Sequence, residues 1–457
     1  MKRRLVTGVF DRYSQSHHFL GTWRMPGSTG NRGYADIETW VELAKLAEAA
    51  KLDFLMLADG MGEGGYFPDD WKVPLEEGML GTMDPSILMA ALSRETTDLG
   101  LVATTSVVQD HPFHFARRMS TLDHITSGRV GWNVVTSFVP GMWRNFGLPD
   151  LDHDERYVWA EEYMEVVYAL WEGSWERDAV VRSIAENRWV DAAKVHTIDH
   201  VGERYRVQGP HMVEPSPQGS PLIFQAGMSE AGSHFAARHA EVQFIGDGAD
   251  PARAGAYVAR MRELVASNGR DPESILFAPA LSLVVGETDE DARRKSAAIT
   301  ENLSFRGLAG KLNSHIGFDL SAVGSEVDID ALTTEGVRSL LDTLRQAFPP
   351  GYKPSLDELL RVREASQIIA GTPERIADHI EELYDNGVEG VMVMGIPRPT
   401  ALRDFVEGVV PELQKRGLMQ TEYAKGTLRE KLFGDGALLR DDHPGATYRA
   451  RVRHPDA

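Results

Sequence analysis

Short apolar runs alternate with amphipathic helical stretches about eight times along this chain, and few folds absorb such a pattern. Leu5 to Phe10 reads as the first strand, and a polar, aromatic loop follows to Tyr34. Asp36 is placed to cap a helix that carries Trp40, Leu43, Ala44, Ala47 and Ala50 on one face. Asp53 to Ala58 is then apolar almost throughout, as a strand buried on both faces requires. The cycle continues with strands at Leu99–Thr105, Arg129–Val135, Pro221–Gln225, Glu241–Ile245, Leu276–Val285 and Gly390–Met394. Helices are expected from Pro85 to Thr97, from Pro112 to Gly128, from Asp154 to Trp171 and from Ser229 to His239. Further helices begin at Pro251, Asp289, Pro373 and Thr400. Right-handed crossovers on one parallel sheet bury both faces of such strands, and about eight units favour a closed (β/α)8 barrel over an open sheet.

Three long stretches interrupt the cycle, at about 60–82, 172–219 and 301–354, and belong on loops. Within the second, Lys194–Ile198 and Arg204–Val207 alternate and are expected to pair as a hairpin. Val362 to Ile369 reads as a short strand or a buried connector. The reading is thus one barrel domain over 1–420, with 421–457 a charged extension on the surface.

The formal charge is −20, which disfavours loose association with nucleic acid or an anionic membrane but leaves room for a basic pocket in a cleft. The chain has no cysteine, so thiolate ligands, iron–sulfur centres and cysteine nucleophiles are excluded. The apolar run after Lys2, Arg3 and Arg4 is too short for a signal peptide, and no run reaches membrane-helix length; a cytoplasmic protein is expected. His111, His114 and His124 lack the helical spacing of a zinc motif, and no metal site is expected. The phosphate-binding Gly-x-x-x-x-Gly-Lys-Ser/Thr loop, the dinucleotide Gly-x-Gly-x-x-Gly after a strand and the Gly-x-Ser-x-Gly elbow are all absent.

In a barrel, ligands bind where the strands end. That rule selects Asp59, Thr104 and Thr105, Asn133 to Thr136, and Ala226 to Ser229. In Gln225-Ala226-Gly227-Met228-Ser229, Gly227 permits close backbone approach and Ser229 opens a helix whose free N–H groups suit a phosphate; capping alone explains Ser229 equally. Asn133 brings a donor and an acceptor to an apolar end, or closes a loop. His153 and Tyr157, four residues apart, share one face of a helix start and either hold a phosphate together or pair a surface imidazole with a core ring.

Longer motifs sharpen this. Ser127-Gly128-Arg129-Val130-Gly131-Trp132-Asn133-Val134-Val135-Thr136-Ser137 is followed by Asn145-Phe146-Gly147 and by His153 with Arg156-Tyr157. Leu57-Ala58-Asp59-Gly60 precedes them, and Pro217-Gln218-Gly219 with Phe224-Gln225-Ala226-Gly227 follows. In these stretches, from about Leu5 to Leu418, the chain resembles the bacterial-luciferase-like superfamily, in particular the monooxygenases of nitrilotriacetate, EDTA and dibenzothiophene sulfone. The resemblance implies reduced FMN supplied by a separate NAD(P)H:flavin reductase, a flavin C4a-hydroperoxide formed with O2, and insertion of one oxygen atom into a small organic substrate, a sulfur compound, heteroaromatic or aminocarboxylate among the classes. It implies flavin contacts for Asp59, Thr104, Asn133, His153, Tyr157, Gly227 and Ser229, with Tyr157 and Ser229 at the phosphate. By the same resemblance His17 or His18, Trp23 and Arg24 lie at the active-site mouth, Arg24 attracting an anionic substrate, and His315 donates a hydrogen bond to the oxygenated flavin or the substrate. It also implies a homodimer or homotetramer. Hydride transfer with the deazaflavin F420 and a non-catalytic flavin-binding protein are the alternatives on the same fold.

Overall fold

The computed structural model describes residues 3–15, 21–29, 33–61, 75–76, 78, 82–137, 140–149, 151–246, 248–304, 307–309, 348–349 and 351–449. The strands in chain order are β1 (Val6–Arg12), β2 (Phe54–Ala58), β3 (Gly100–Ser106), β4 (Val130–Val135), β5 (Val180–Ser183), β6 (Arg188–Val190), β7 (His200–Val201), β8 (Arg206–Val207), β9 (Leu222–Gln225), β10 (Val242–Ile245), β11 (Leu276–Val285), β12 (Ile368–Gly371) and β13 (Gly390–Met394). Eight of them, β1, β2, β3, β4, β9, β10, β11 and β13, pair in parallel and close on themselves, with β10 against β11 and β13 against β1. The expected (β/α)8 barrel is the fold.

Alternation along each strand divides the core in two. Val6 and Phe10 of β1 pack inside the barrel with Phe54, Met56, Val102, Leu222, Phe224 and Met392. Leu5 and Val9 of the same segment pack outward against the helices, with Leu55, Leu57, Leu101 and Ala103. The lumen is filled by large rings set beside glycines. Phe54 and Phe224 meet edge to face, with centroids 5.1 Å apart. A Cβ on Gly8 would sit 2.4 Å from the Phe54 ring, so this position of β1 has no room for a side chain.

Helix starts follow the sequence signals. The Asp36 side chain accepts from Glu38 N, and Asp84, ahead of Pro85, accepts from Ser86 N. Glu161, out of place in the apolar stripe of helix His153–Gly173, accepts a hydrogen bond at 3.0 Å from buried His239.

Three expectations change. Lys194–Ile198 is not a strand: Ala192–Lys194 is a 3-10 turn, and Arg206–Val207 pairs with His200–Val201 instead. The β5–β6 hairpin has a shifted register and little alternation, which hid it. Val362 to Ile369 is split between helix Leu356–Ala365 and β12, which pairs with the far half of β11 outside the ring.

The third concerns the tail. Helix Leu428–Phe433 does not lie on the surface; it stoppers the N-terminal end of the barrel, with Leu428 and Leu432 buried in the lumen cluster. A Cβ on Gly100, the first residue of β3, would lie 2.6 Å from Leu428. Leu428 N donates to Gly128 O, just ahead of β4, and Lys431 Nζ reaches the Asp98 carboxylate ahead of β3. Arg429, 2% exposed, grips Glu241 through Nε at 2.6 Å and Nη2 at 3.0 Å. Its remaining donors go to the carbonyls of Gln218, Ser220, Pro221 and Ala437. The tail was expected on the surface because it is charged, but Arg429 pairs with buried Glu241 and Lys431 with the partly exposed Asp98.

Candidate active site

The opposite end of the barrel gathers the polar strand ends. Thr104 and Asn133 are neighbours in the β3–β4 register, and Asn133 Nδ2 donates to Thr104 Oγ1 at 3.0 Å. Both are 4% exposed, and Asn133 Oδ1 has no hydrogen-bond partner. A buried amide oxygen in that state is costly unless something supplies a donor. Directly after β4, Ser137 is held at φ 59°, an uncommon backbone state for a residue with a side chain. Its Oγ donates to Ser106 Oγ at 2.6 Å, and its carbonyl accepts from Arg156 Nη1 at 2.7 Å. The end of β4 is thereby fixed against both β3 and helix His153–Gly173.

The β9 end forms a cradle. Ser229 caps helix Glu230–His239, its Oγ accepting from Gly232 N at 3.1 Å. The Tyr157 hydroxyl lies among the side chains of Ser229, Thr136 and Gln225; burial raises its pKa, and these hydrogen bonds oppose the rise. A Cβ on Gly227 would be 2.6 Å from the Tyr157 oxygen and 2.5 Å from Gln225 Nε2, and one on Gly232 would be 2.7 Å from the same hydroxyl. Gly227 is therefore required for space, and its φ is not left-handed. Beneath the loop, Gln243 Nε2 donates to Gly227 O at 3.0 Å and to Tyr257 OH at 2.8 Å. Gln225 and Gln243 each keep a buried amide oxygen without a partner.

At the β2 end, Asp59 Oδ1 accepts from Gly60 N at 2.7 Å and Oδ2 from Gln109 Nε2 at 3.1 Å. Burial raises its pKa above the ordinary carboxylate value, with Gln109, Gly60 and Arg12 opposing. Arg12 ends β1 beside it.

The structure thus brings Thr104, Asn133, Tyr157, Gly227 and Ser229 to one mouth, with Asp59 on its β2 side. His153 stands at the edge: its ring lies 5.3 Å from that of Tyr157, but its side chain is 44% exposed and Nδ1 meets Asp154 at 2.8 Å. Arg24 is exposed, with Nε on Gly21 O and Nη2 on Asn302 O at 2.8 Å, both neutral carbonyls. His17, His18 and His315 lie outside the described residues. Sequence reasoning missed Arg12, Gln109, Gly232 and Gln243. Arg12 was within reach of the strand-end rule, but the strand was expected to stop at Phe10 and runs two residues further. Among the described residues no helix is long and apolar enough to cross a membrane, and no three acidic or histidine side chains group as metal ligands.

The family model for luciferase-like monooxygenases matches residues 17–390. The chain is 39% identical over 453 residues to the long-chain alkane monooxygenase of Geobacillus thermodenitrificans, covering 98% of this chain and 99% of that one. The solved structure of the protein from Hyphomicrobium sulfonivorans, whose curated counterpart is a dimethyl-sulfide monooxygenase, superposes with a TM-score of 0.91 at 36% identity over 99% of this chain and 97% of that one. A riboflavin lyase solved with a modified FMN and riboflavin gives 0.89 at 36% identity, covering 98% of this chain and 100% of its own. Oxygenase relatives at this identity decide against the hydride-transfer and non-catalytic alternatives. The chain belongs to the luciferase-like monooxygenase family and is a reduced-flavin-dependent enzyme of it.

Proposed function

We propose that the flavin is FMN in its reduced form, bound at the C-terminal mouth of the barrel, and that this chain is the oxygenating component of a two-component system. The observation that carries the reading is the cradle at the β9 end. Two glycines leave no Cβ over the Tyr157 hydroxyl, Ser229 opens a helix N-terminus, and the loop rests on Gln243. Hydroxyls and helix N–H groups converging on a concave space suit a phosphate monoester. The orphaned Asn133 Oδ1 and the Thr104 hydroxyl suit the polar edge of a ring system.

When bound, reduced FMN supplies the electrons that activate O2 for transfer of one oxygen atom to the substrate. In this reading Tyr157 and Ser229 hold the phosphate, with Gly227 giving close access. Asn133 and Thr104 orient the ring from β4 and β3, and Asp59, held by Gly60 N and Gln109, borders it at the β2 side. His153 closes the outer rim near the phosphate. The apolar lumen below, lined by Phe10, Phe54 and Phe224, keeps water out of the site. His18 is assigned to the active-site mouth, and His315 to a hydrogen bond with the flavin or the substrate. The substrate is a small organic molecule, a separate NAD(P)H:flavin reductase supplies the reduced cofactor, and the protein works as a homodimer or homotetramer in the cytoplasm.

The test is an anaerobic titration with reduced FMN, followed by admission of oxygen in the presence of candidate substrates. Saturable binding lost in Tyr157→Phe/Ser229→Ala supports the assignment. Binding that survives this double change overturns the phosphate site.

A further inference from the structure

Arg12 is the last residue of β1 and shares the face of Val6 and Phe10, which line the lumen. It therefore stands at the mouth of the barrel. Around the closed ring, β2, β3 and β4 separate β1 from β9 on one side, and β13, β11 and β10 on the other. The guanidinium thus lies across the mouth from the Gly227–Tyr157 cradle.

Its bonding is incomplete. Among the described residues the guanidinium makes one hydrogen bond, from Nη2 to Thr82 Oγ1 at 2.9 Å, and Nε is buried without a partner. Asp59 is close enough to act on its charge, yet both Asp59 oxygens are taken by Gly60 N and Gln109, and among the described residues no carboxylate comes within ion-pair distance of Arg12. The contrast with Arg398, just beneath, is informative. Arg398 binds the Asp11 carboxylate at 2.9 Å, donates to Ser14 O, and stacks 4.6 Å over the Trp40 ring. Nε is without a partner in both arginines among the described residues; the difference is that Arg398 has a carboxylate of its own and Arg12 has none. A guanidinium is a rigid fork that matches a carboxylate in two parallel hydrogen bonds, and leaving it partly desolvated without one is unfavourable.

We propose that Arg12 is a substrate-binding residue and that the molecule oxygenated here carries an oxyanion, a carboxylate being the test case. Calling that molecule the substrate rests on the monooxygenase reading above; the anion site itself does not. The arrangement places the anionic end of the substrate at β1 and leaves its apolar part over the lumen.

The experiment is calorimetric titration of the full chain, without flavin, with the straight-chain carboxylates of four to eight carbons and with the matching primary amides. Wild type, Arg12→Gln, Arg12→Lys and the surface control Arg294→Gln are compared, and reduced FMN is titrated anaerobically into each. Carboxylates should bind wild type about tenfold or more tighter than their amides, the worth of one charge-assisted contact. That preference should vanish in Arg12→Gln, persist in part in Arg12→Lys and be untouched in Arg294→Gln, with FMN affinity equal in all four. Equal affinity of wild type for acids and amides, or a preference that survives Arg12→Gln, overturns the proposal. So does a loss of FMN affinity in Arg12→Gln, which would place the guanidinium in the flavin site. Failure of wild type to bind FMN while the Arg12-dependent preference holds would sink the flavin reading and leave the anion site standing. If Arg12→Gln does not fold, the comparison of Arg12→Lys with wild type decides.

Discussion

The two ends of this barrel differ in how a buried arginine is paired. At the floor, Arg429 meets both oxygens of Glu241 and four backbone carbonyls, and Gln218 donates twice to the Asp123 carboxylate. At the mouth, Asn133 Oδ1, Gln225 Oε1 and Arg12 Nε are buried without partners, and Ser137 is held in a left-handed backbone state. Both ends carry comparable chemistry in the sequence. Orphaned atoms occur at both ends, Gln218 Oε1 at the floor among them; what differs is that Arg429 has its own carboxylate in Glu241, whereas among the described residues Arg12 has none within ion-pair distance.

The comparison can be broken at either end. Arg429→Met keeps volume but strands Glu241 in a buried site, and should cost about 3–5 kcal/mol in denaturant unfolding. Reduced-FMN affinity of the folded protein should be unchanged; a parallel loss of binding would mean the ends are coupled. Gly227→Ala puts a methyl 2.6 Å from the Tyr157 oxygen, and should weaken FMN binding by about 1–3 kcal/mol, about fivefold to more than a hundredfold in Kd. A normal affinity would show that the cradle holds no phosphate. Asn133→Val should lower FMN affinity roughly three- to tenfold, one hydrogen bond's worth, with a smaller effect on unfolding because an unpaired buried oxygen is removed along with the bond to Thr104.

The smallest effect is one of pH. Burial raises the Asp59 pKa above 3.8, so its contribution to stability is fully present below that value and is lost as pH rises through the folded-state pKa. Asp59→Asn should therefore be slightly more stable than wild type at neutral pH, with the gap closing as pH falls towards 3.8. Thermal melts between pH 4.5 and 8, a range of about three units chosen around the carboxylate titration, would show it. A gap that widens in acid would mean that Asp59 is stabilised as a carboxylate.

Legibility in the sequence divides along similar lines. The ring strands were visible because burial on both faces makes them apolar almost throughout, as in Phe54–Ala58 and Gly390–Met394. Asn133, Gly227 and Ser229 were visible because each interrupts an apolar strand where it ends. Arg12 was not, since two residues of misjudged strand length conceal an end. The β5–β6 hairpin lacks alternation, and the floor helix spreads its few apolar residues among charges whose partners, Glu241 and Asp98, lie far away in the chain. Pairing at such separations has no local signature.

The ring closes through β1 and β13, with Val6 opposite Gly390, and the floor is sealed only by Leu428 and Leu432. A ribosome adding about 5–20 residues per second takes roughly 20–75 seconds to go from the end of β1 to β13. For all that time one edge of the first strand has no native neighbour, and the lumen stays open underneath for the few seconds more that the floor helix needs. The nascent chain therefore holds a sticky, half-built ring for most of its synthesis. A ribosome stalled between β13 and the floor helix would release a barrel that is circular but not shut.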